Sequence, residues 1–395
     1  MLSIPAMSIS GSHEWALPPS KSHMIRWIAL VAQSQRKCSL RFKGKPGRDV
    51  YSMANCLEKM GVIIKRKEQE WIIEPPESGL ISPSSVMDCG NSGTAARILT
   101  AIAATMDKTI QIDGDESLRR RTSELAITLR NMGVEVSSDS LPVTVSGSMN
   151  GSGIVNVSNS SQPLSALIIA SPSLDNDIEI KIQGDAVSRG YSDMTIEIAE
   201  QCGFKSKINS TMRLQSWNVE PPKIVNIPPE LSLFPMAILL ELLHEGLNLQ
   251  TELATYDPLI LLALDKIDRS NGNDVNLRDA SDLVTPAAIW MALTNGGRIT
   301  GIAHARGKES DRIRRTLELL YAFGMSGEET EDGLIVTGGQ KPIKPEKTIE
   351  THLDHRLAMS AMILASKVGG DIENAEICEV THPGFIKQLV GLYQP

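Results

Sequence analysis

Residues 57–73 read LEKMGVIIKRKEQEWII, an amphipathic helix followed by a glycine and an alternating strand. The same phrase returns as LRNMGVEVSSDSLPVTV (129–145), AEQCGFKSKINSTMRLQ (199–215) and LYAFGMSGEETEDGLIV (320–336). Glycine suits the left-handed residue that ends a helix. The recurrence predicts a fold assembled from copies of one helix–strand unit.

A second phrase alternates with the first and consists of polar residues followed by a helix of small apolar residues. Its instances are SKSHMIRWIALVA (20–32), NSGTAARILTAIAA (91–104), SSQPLSALIIASP (160–172), LSLFPMAILLELL (231–243), SDLVTPAAIWMAL (281–293) and DHRLAMSAMILAS (354–366). Because these helices are nearly all apolar, we expect them to be buried at the centre of each domain. The two phrases together predict six βαβαββ-like units, which is an α/β (α+β) fold.

Six such units exceed what one hydrophobic core holds comfortably, so we expect two similar domains of three units each. The polar, proline-rich stretch WNVEPPKIVNIPP (217–229) is the predicted hinge. We therefore expect the first domain to span residues 13–224. The second domain should comprise residues 225–395 together with residues 1–12, which we expect to pair with that later segment.

Composition excludes several classes of protein. The chain of 395 residues has 47 acidic and 39 basic side chains, a net charge of −8, which argues against a nucleic-acid partner. Its apolar runs fall short of the roughly 18 residues of a membrane span, and its N-terminus lacks the pattern of a secretory signal, so we expect no membrane association and a cytoplasmic location. The five isolated cysteines favour buried thiols over disulfides or zinc ligation.

Cations stand in the first turns of the apolar helices, where the helix dipole disfavours positive charge unless an anion binds. They are Lys21, Arg26, Arg97 and Arg356. N-capping by itself explains the polar residues at any one of these helix starts. Four cations in the same setting favour sites for a small anion, which an acidic protein can still bind through a few well-placed cations.

Three further segments combine charged residues. Lys308 and Arg312 are spaced i,i+4 beside Glu309, which fits either a surface ion-pair network or an anion site. The run Arg119–Arg121 is either an exposed basic loop or a phosphate clamp that needs one of its arginines. His352 and His355 have the spacing of a metal pair, but no third ligand stands near them, so we expect no metal. Neither GxxxxGK[ST] nor GxGxxG after a strand occurs, so a nucleotide cofactor is not expected.

The motifs PSKSHMIR, GNSGTAAR, GDESLRRR, SSQPLSAL, VSRGY, SDL, KESDR, DHRLAM and THPGF follow one another along nearly the whole chain. In kind and order they resemble the 5-enolpyruvylshikimate-3-phosphate synthase family, the 3-phosphoshikimate 1-carboxyvinyltransferases. The resemblance implies two similar domains of the enolpyruvyl transferase type, each with three βαβαββ units around buried parallel helices. It implies transfer of the enolpyruvyl group of phosphoenolpyruvate to shikimate 3-phosphate.

The resemblance also implies roles for residues. Shikimate 3-phosphate would contact Lys21, Ser22, Arg26, Ser160, Ser161, Gln162, Ser188, Tyr191, Asp282, His304 and Lys308. Phosphoenolpyruvate would contact Lys21, Asn91, Gly93, Arg121, Gln162, Arg312, His355 and Arg356. Asp282 would act as base, and Lys21 and Glu309 would handle protons. The resemblance implies no cofactor and no metal, and we expect a monomer.

Two alternatives share the scaffold. UDP-N-acetylglucosamine 1-carboxyvinyltransferases would need Lys-Asn where this chain has Lys21-Ser22, and a cysteine in the loop that here holds Arg119–Arg121. A non-catalytic anion-binding protein would be expected to lose the acid–base set. The chain also departs from the family pattern. Val380 stands where many members have a lysine that contacts phosphoenolpyruvate, so it marks either a missing cation or a packing position.

Overall fold

The computed structural model describes residues 1–205, 209–253 and 257–393 and divides the chain into two compact units. The first unit is Pro19–Pro228, and the second joins Met1–Pro18 to Pro229–Pro395. Residues 206–208, inside the third copy of the helix–glycine–strand phrase, lie outside the described residues. Within the described ranges, no helix has the length and apolarity needed to cross a bilayer.

The described strands are β1 (Leu2–Ile4), β2 (Gly11–Glu14), β3 (Cys38–Arg41), β4 (Ile63–Arg66), β5 (Glu70–Glu74), β6 (Met87–Asp88), β7 (Ile110–Asp113), β8 (Glu135–Val136), β9 (Val143–Ser146), β10 (Gly151–Asn156), β11 (Ile178–Gln183), β12 (Thr211–Leu214), β13 (Ile224–Asn226), β14 (Leu247–Gln250), β15 (Val275–Asn276), β16 (Gly296–Thr300), β17 (Gly327–Glu329), β18 (Leu334–Thr337) and β19 (Gly370–Ile372). The described α-helices are α1 (Lys21–Val31), α2 (Arg48–Lys59), α3 (Gly93–Ala103), α4 (Glu116–Arg119), α5 (Glu124–Asn131), α6 (Gln162–Ala170), α7 (Arg189–Gln201), α8 (Pro235–Leu243), α9 (Pro258–Asp268), α10 (Val284–Leu293), α11 (Arg312–Ala322), α12 (His355–Val368) and α13 (Phe385–Gly391).

The sheets of the first unit repeat one pattern. Strand orders are β13-β3-β5-β4, β6-β7-β9-β8 and β10-β11-β12. In each sheet the first two strands are parallel, and every later strand is antiparallel to the strand before it in that order. The recurrence of this pattern agrees with the repeat found in the sequence.

The second unit contains a sheet of the same pattern, β15-β16-β18-β17. It also takes in the start of the chain, because β1 pairs antiparallel with β19 and β2 pairs parallel with β14. The division into compact units falls a few residues beyond the expected boundaries, after Pro18 and Pro228. Residues 13–18 belong to the second unit because β2 is held by β14, and residues 225–228 belong to the first because β13 pairs with β3.

Apolar helices form the core of each unit, as their sequences predict. Helices α1, α3 and α6 contact one another in the first unit, and α8, α10 and α12 do so in the second. In α10 every residue from Val284 to Ala292 is buried, and α12 is buried from His355 to Ser366. The predicted fold class is confirmed.

The glycine of each helix–strand phrase has left-handed backbone geometry. The four φ angles are +93° at Gly61, +82° at Gly133, +105° at Gly203 and +72° at Gly324. At Gly324 an added Cβ would also lie only 2.4 Å from Ile343. A side chain is disfavoured there on both counts.

Candidate active site

In the first unit, helix α1 begins with Lys21, whose Nζ forms an ion pair with Asp49 Oδ2 at 2.8 Å. Asp49 lies in the first turn of α2 and is buried, with 4% of its surface exposed. The pair fixes the Lys21 ammonium beside the start of α1. No motif singled out Asp49, which stands 28 residues away in the chain.

Arg26 is buried one turn further along α1. Its guanidinium donates to Thr195 Oγ1 at 2.7 Å, to the Ser22 carbonyl at 3.0 Å and to the Tyr191 carbonyl at 3.2 Å. It also lies 5.8 Å from the centre of the Tyr191 ring. Burial and the Arg26 charge lower the pKa of His23 to about 3, so His23 is neutral at neutral pH. The structure thus brings together three residues that the sequence assigned to one ligand: Ser22, Arg26 and Tyr191.

The start of α6 holds the predicted Ser160–Ser161–Gln162 group. The Gln162 backbone N–H donates to Ser160 Oγ at 3.2 Å, and the Gln162 side-chain amide donates to Thr94 Oγ1 at 3.4 Å. That second bond joins the first turns of α6 and α3. Ser188, directly before α7, is buried and has left-handed geometry with φ of +52°, which is uncommon for a residue with a side chain.

Arg121 is held against the loop before α3. Its Nη2 donates to Asn91 Oδ1 and to Ser117 Oγ, both at 2.8 Å, and its Nη1 contacts the Asn91 carbonyl at 3.3 Å. The Asn91 amide donates in turn to Asp115 Oδ2 at 2.8 Å. The predicted pair Asn91 and Arg121 therefore forms a connected network, with Asp115 at its end.

The other two arginines of the basic run behave differently. Arg119 pairs with Asp113 on the surface at 2.6 Å, and Arg120 pairs with Glu116. Of the run, Arg121 is the arginine that contacts the Asn91 loop.

Helix α3 begins at Gly93, beside two guanidinium groups. Arg97 Nη1 donates to the Gly93 carbonyl at 3.0 Å, and Arg97 Nη2 donates to the Thr122 carbonyl at 3.2 Å. A Cβ at Gly93 would lie 2.6 Å from Arg97 Nη1 and 3.6 Å from Arg121 Nη1. The absence of a side chain at Gly93 leaves room for the Arg97 guanidinium beside the helix N-terminus, close to Arg121.

In the second unit, Arg312 is completely buried among three carboxylates. Its Nε donates to Asp354 Oδ2 at 2.9 Å and its Nη1 to Asp282 Oδ1 at 2.5 Å, while its Nη2 hydrogen bonds to the Glu309 carboxylate. The predicted residues Asp282, Glu309 and Arg312 are therefore in direct contact.

Burial and charge oppose each other in this cluster. Burial alone would lower the pKa of Arg312, but Asp354, Glu309 and Asp282 raise it well above its usual value. Burial alone would raise the pKa of Asp354, yet the Arg312 guanidinium holds it below its usual value. Arg312 and Asp354 are consequently both charged over the physiological pH range.

Arg356, in the first turn of α12, contacts two different groups. Its Nη1 donates to the Ser232 carbonyl at 3.0 Å and its Nη2 to Ser232 Oγ at 2.9 Å, while Nη2 also lies 3.8 Å from Asp282 Oδ2. Asp354 caps α12 by accepting from the Arg356 backbone N–H at 2.9 Å. His355 is buried between Asp354 and Arg356 in the chain.

Lys308 and His304 complete the predicted set. Lys308 Nζ lies 3.9 Å from Asp282 Oδ1. Burial, reinforced by the Lys308 charge, lowers the pKa of His304 to about 4, so this imidazole is neutral at neutral pH. Lys308, Arg312 and Arg356 thus all approach Asp282.

Several buried polar atoms at or near these residues have no hydrogen-bond partner among the described residues: Arg121 Nε, Arg356 Nε, Thr351 Oγ1 and Thr381 Oγ1. Unpaired buried polar groups are costly, so they mark places where a ligand or water can bind.

Val380 is buried, with 4% of its surface exposed, at the end of the 3-10 turn Ala375–Val380. Lys387, the nearest candidate in sequence for a replacement cation, is exposed on α13. Burial of Val380 favours the packing role over the missing-cation interpretation.

His352, one of the two histidines with the spacing of a metal pair, lies beside two glutamates. Its Nδ1 lies 3.0 Å from Glu350 and its Nε2 lies 3.5 Å from Glu318. Across the described ranges, no group of three or more His, Cys, Asp or Glu side chains could hold a metal ion.

Comparison with known proteins matches both units to one family. The sequence model described as EPSP synthase (3-phosphoshikimate 1-carboxyvinyltransferase) matches residues 11–232 and 260–389. A 3-phosphoshikimate 1-carboxyvinyltransferase of Methanosarcina acetivorans is 31% identical, covering 99% of this chain and 97% of the relative. One of Methanosphaera stadtmanae is 29% identical, covering 94% and 95%.

Solved structures agree in fold. An EPSP synthase from Acinetobacter baumannii superposes with a TM-score of 0.76 at 22% identity, covering 98% of this chain and 97% of that one. The enolpyruvyl transferase NikO from Streptomyces tendae superposes with a TM-score of 0.72 at 12% identity, covering 99% and 96%. With a family match that spans most of both units, the chain belongs to the EPSP synthase family.

Proposed function

We propose that this protein is a 3-phosphoshikimate 1-carboxyvinyltransferase of the shikimate pathway, which supplies aromatic amino acids. The C–O bond between the enol carbon of phosphoenolpyruvate and its phosphate would break. A new bond would form from that carbon to the 5-hydroxyl oxygen of shikimate 3-phosphate, and inorganic phosphate would leave. The observation that carries the proposal is a family match across both units, each of which holds cations at the starts of buried helices.

Substrate charge supports this assignment. Each substrate carries roughly three negative charges, since a phosphate bears about −1.5 to −2. We assign shikimate 3-phosphate to the starts of α1, α6 and α7 together with Asp282, His304 and Lys308. We assign phosphoenolpyruvate to the start of α3, to Arg121 and to the second-unit arginines Arg312 and Arg356. Helix N-termini and bidentate guanidinium groups are well suited to phosphate and carboxylate.

Proton transfer is assigned to Lys21, Glu309 and Asp282. The methylene carbon of phosphoenolpyruvate must gain a proton, and the attacking hydroxyl must lose one. The resulting methyl group must then lose a proton as phosphate leaves, which restores the double bond of the enolpyruvyl group. Lys308, Arg312 and Arg356 all lie near Asp282, and Arg312 also contacts Glu309 and Asp354, so these carboxylates stand beside the cations assigned to phosphoenolpyruvate. That position supports a role for Asp282 and Glu309 in proton transfer at the bound substrates.

The proposal includes a monomeric enzyme acting in the cytoplasm, with a hinge near residues 217–229. Light scattering on the eluting protein tests the oligomeric state.

Initial-rate assays of phosphate release test the function. We expect release with phosphoenolpyruvate and shikimate 3-phosphate together, and none with either substrate alone. Replacing shikimate 3-phosphate by UDP-N-acetylglucosamine tests the sister activity, for which we expect no turnover. No release with any pair would point to the non-catalytic anion-binding alternative.

A further inference from the structure

The orientation of Arg356 depends on one serine. Both terminal nitrogens of its guanidinium bind Ser232, one through the carbonyl and the other through the hydroxyl, at 3.0 and 2.9 Å. The competing carboxylate, Asp282, is 3.8 Å away. The hydrogen bonds to Ser232 therefore hold the Arg356 guanidinium in its observed orientation, with Asp282 beyond hydrogen-bond distance.

The Ser232 hydroxyl is itself held in one orientation. It accepts from Arg356 Nη2 and donates to Glu230 Oε1 at 2.6 Å. Guanidinium groups can only donate and carboxylates can only accept, so the direction of both bonds is fixed. Hydrogen bonds linked in this way polarise one another, and both of these end on a charged group.

The far end of this chain of bonds is anchored in the backbone. The Glu230 N–H donates to the Pro18 carbonyl at 2.8 Å, and the Glu230 carbonyl accepts from the Leu233 N–H at 3.1 Å. Both Glu230 and Ser232 are buried, with 9% and 2% of their surfaces exposed. The carboxylate therefore has little freedom to leave the serine.

We infer that Glu230 is a positioning residue for phosphoenolpyruvate binding, acting on Arg356 through the hydroxyl of Ser232. The inference rests on the proposed function, in which Arg356 binds the donor substrate. It assigns a role to the segment PPELSLF (Pro228–Phe234). Here Glu230 and Ser232 together supply the acceptor for the arginine.

A double-mutant cycle tests this inference. Glu230→Gln and Ser232→Ala should each raise the KM for phosphoenolpyruvate roughly threefold to tenfold. This range is expected when the arginine that binds the substrate loses part of the hydrogen bonding that orients it. The kcat and the KM for shikimate 3-phosphate should stay within about twofold. Both changes break the same connection between Glu230 and Arg356. The KM for phosphoenolpyruvate of the double variant should therefore be no higher than that of the single variant with the larger effect.

Glu241→Gln is the matched control, since Glu241 is a carboxylate of the same unit that accepts from the Leu249 backbone N–H. It should leave both KM values unchanged. Titration with inorganic phosphate needs no turnover and should show the same ranking of variants, so the inference can be judged even if the proposed reaction fails. Multiplicative effects of the two changes, or equal shifts in both KM values with a lowered melting temperature, would overturn the role of Glu230.

Discussion

The substitution Gly93→Ala should weaken phosphoenolpyruvate binding without destabilising the folded protein. The new Cβ would lie 2.6 Å from Arg97 Nη1, too close for any real contact, so the Arg97 side chain must move. Its bond to the Gly93 carbonyl, now 3.0 Å, would be strained or lost, and the methyl group would press towards Arg121 at 3.6 Å. We expect a loss of about 1–1.5 kcal/mol in phosphoenolpyruvate binding, which is a fivefold to tenfold rise in its KM.

The stability of the folded protein should stay the same or increase. Gly93 is the first residue of α3, and alanine is favoured over glycine in helices by up to about 1 kcal/mol. The melting temperature should therefore hold or rise while the KM for phosphoenolpyruvate rises and that for shikimate 3-phosphate changes little. Gly391→Ala, at a helical glycine whose Cβ would meet nothing within 4 Å, is the control for the helix effect. Equal shifts in both KM values, or a lower melting temperature with unchanged kinetics, would refute the reasoning.

Further predictions concern proton transfer, pH and packing. Lys21→Met and Glu309→Gln should each lower kcat about 10²–10⁴-fold in a folded protein; near-normal turnover in either would remove that residue from the chemistry. Burial lowers the pKa of His244 and His382 to about 4, against 6.5 when exposed, so the unfolded chain binds protons first and stability falls as the pH drops from 6.5 towards 4. Urea unfolding should show a loss on the order of 2 kcal/mol per histidine between pH 7 and 5, and a flat profile would contradict it. Val380→Lys should lower the melting temperature without lowering the KM for phosphoenolpyruvate, and a lower KM at low salt would revive the missing-cation interpretation.

The repeated phrases predicted the architecture because burial and helix termination are local requirements. The apolar helices had to be covered, and the glycine after each amphipathic helix had to take left-handed geometry, as Gly61 and Gly133 do. The domain boundary was less predictable. Strand β2 pairs with β14 across more than 230 residues, and this pairing places residues 13–18 in the second unit.

The site residues could be predicted from motifs, but the side chains that form ion pairs and hydrogen bonds with them could not. Asp49 meets Lys21 and Thr195 meets Arg26 only after folding, at separations of 28 and 169 residues. Ser232 lies in the repeated phrase LSLFPMAILLELL (231–243), but nothing in that phrase indicates a contact with Arg356, 124 residues away. Such partners are chosen by tertiary packing, which composition and spacing do not encode locally.

The proposed reaction can be followed with ¹H and ³¹P nuclear magnetic resonance of the wild-type protein with phosphoenolpyruvate and shikimate 3-phosphate in D₂O. We predict that both substrates disappear together as inorganic phosphate and a new enol ether form. Deuterium should enter the vinylidene group, because the methylene carbon is protonated and then deprotonated. Phosphate release without consumption of shikimate 3-phosphate, or no reaction with this pair, would contradict the account.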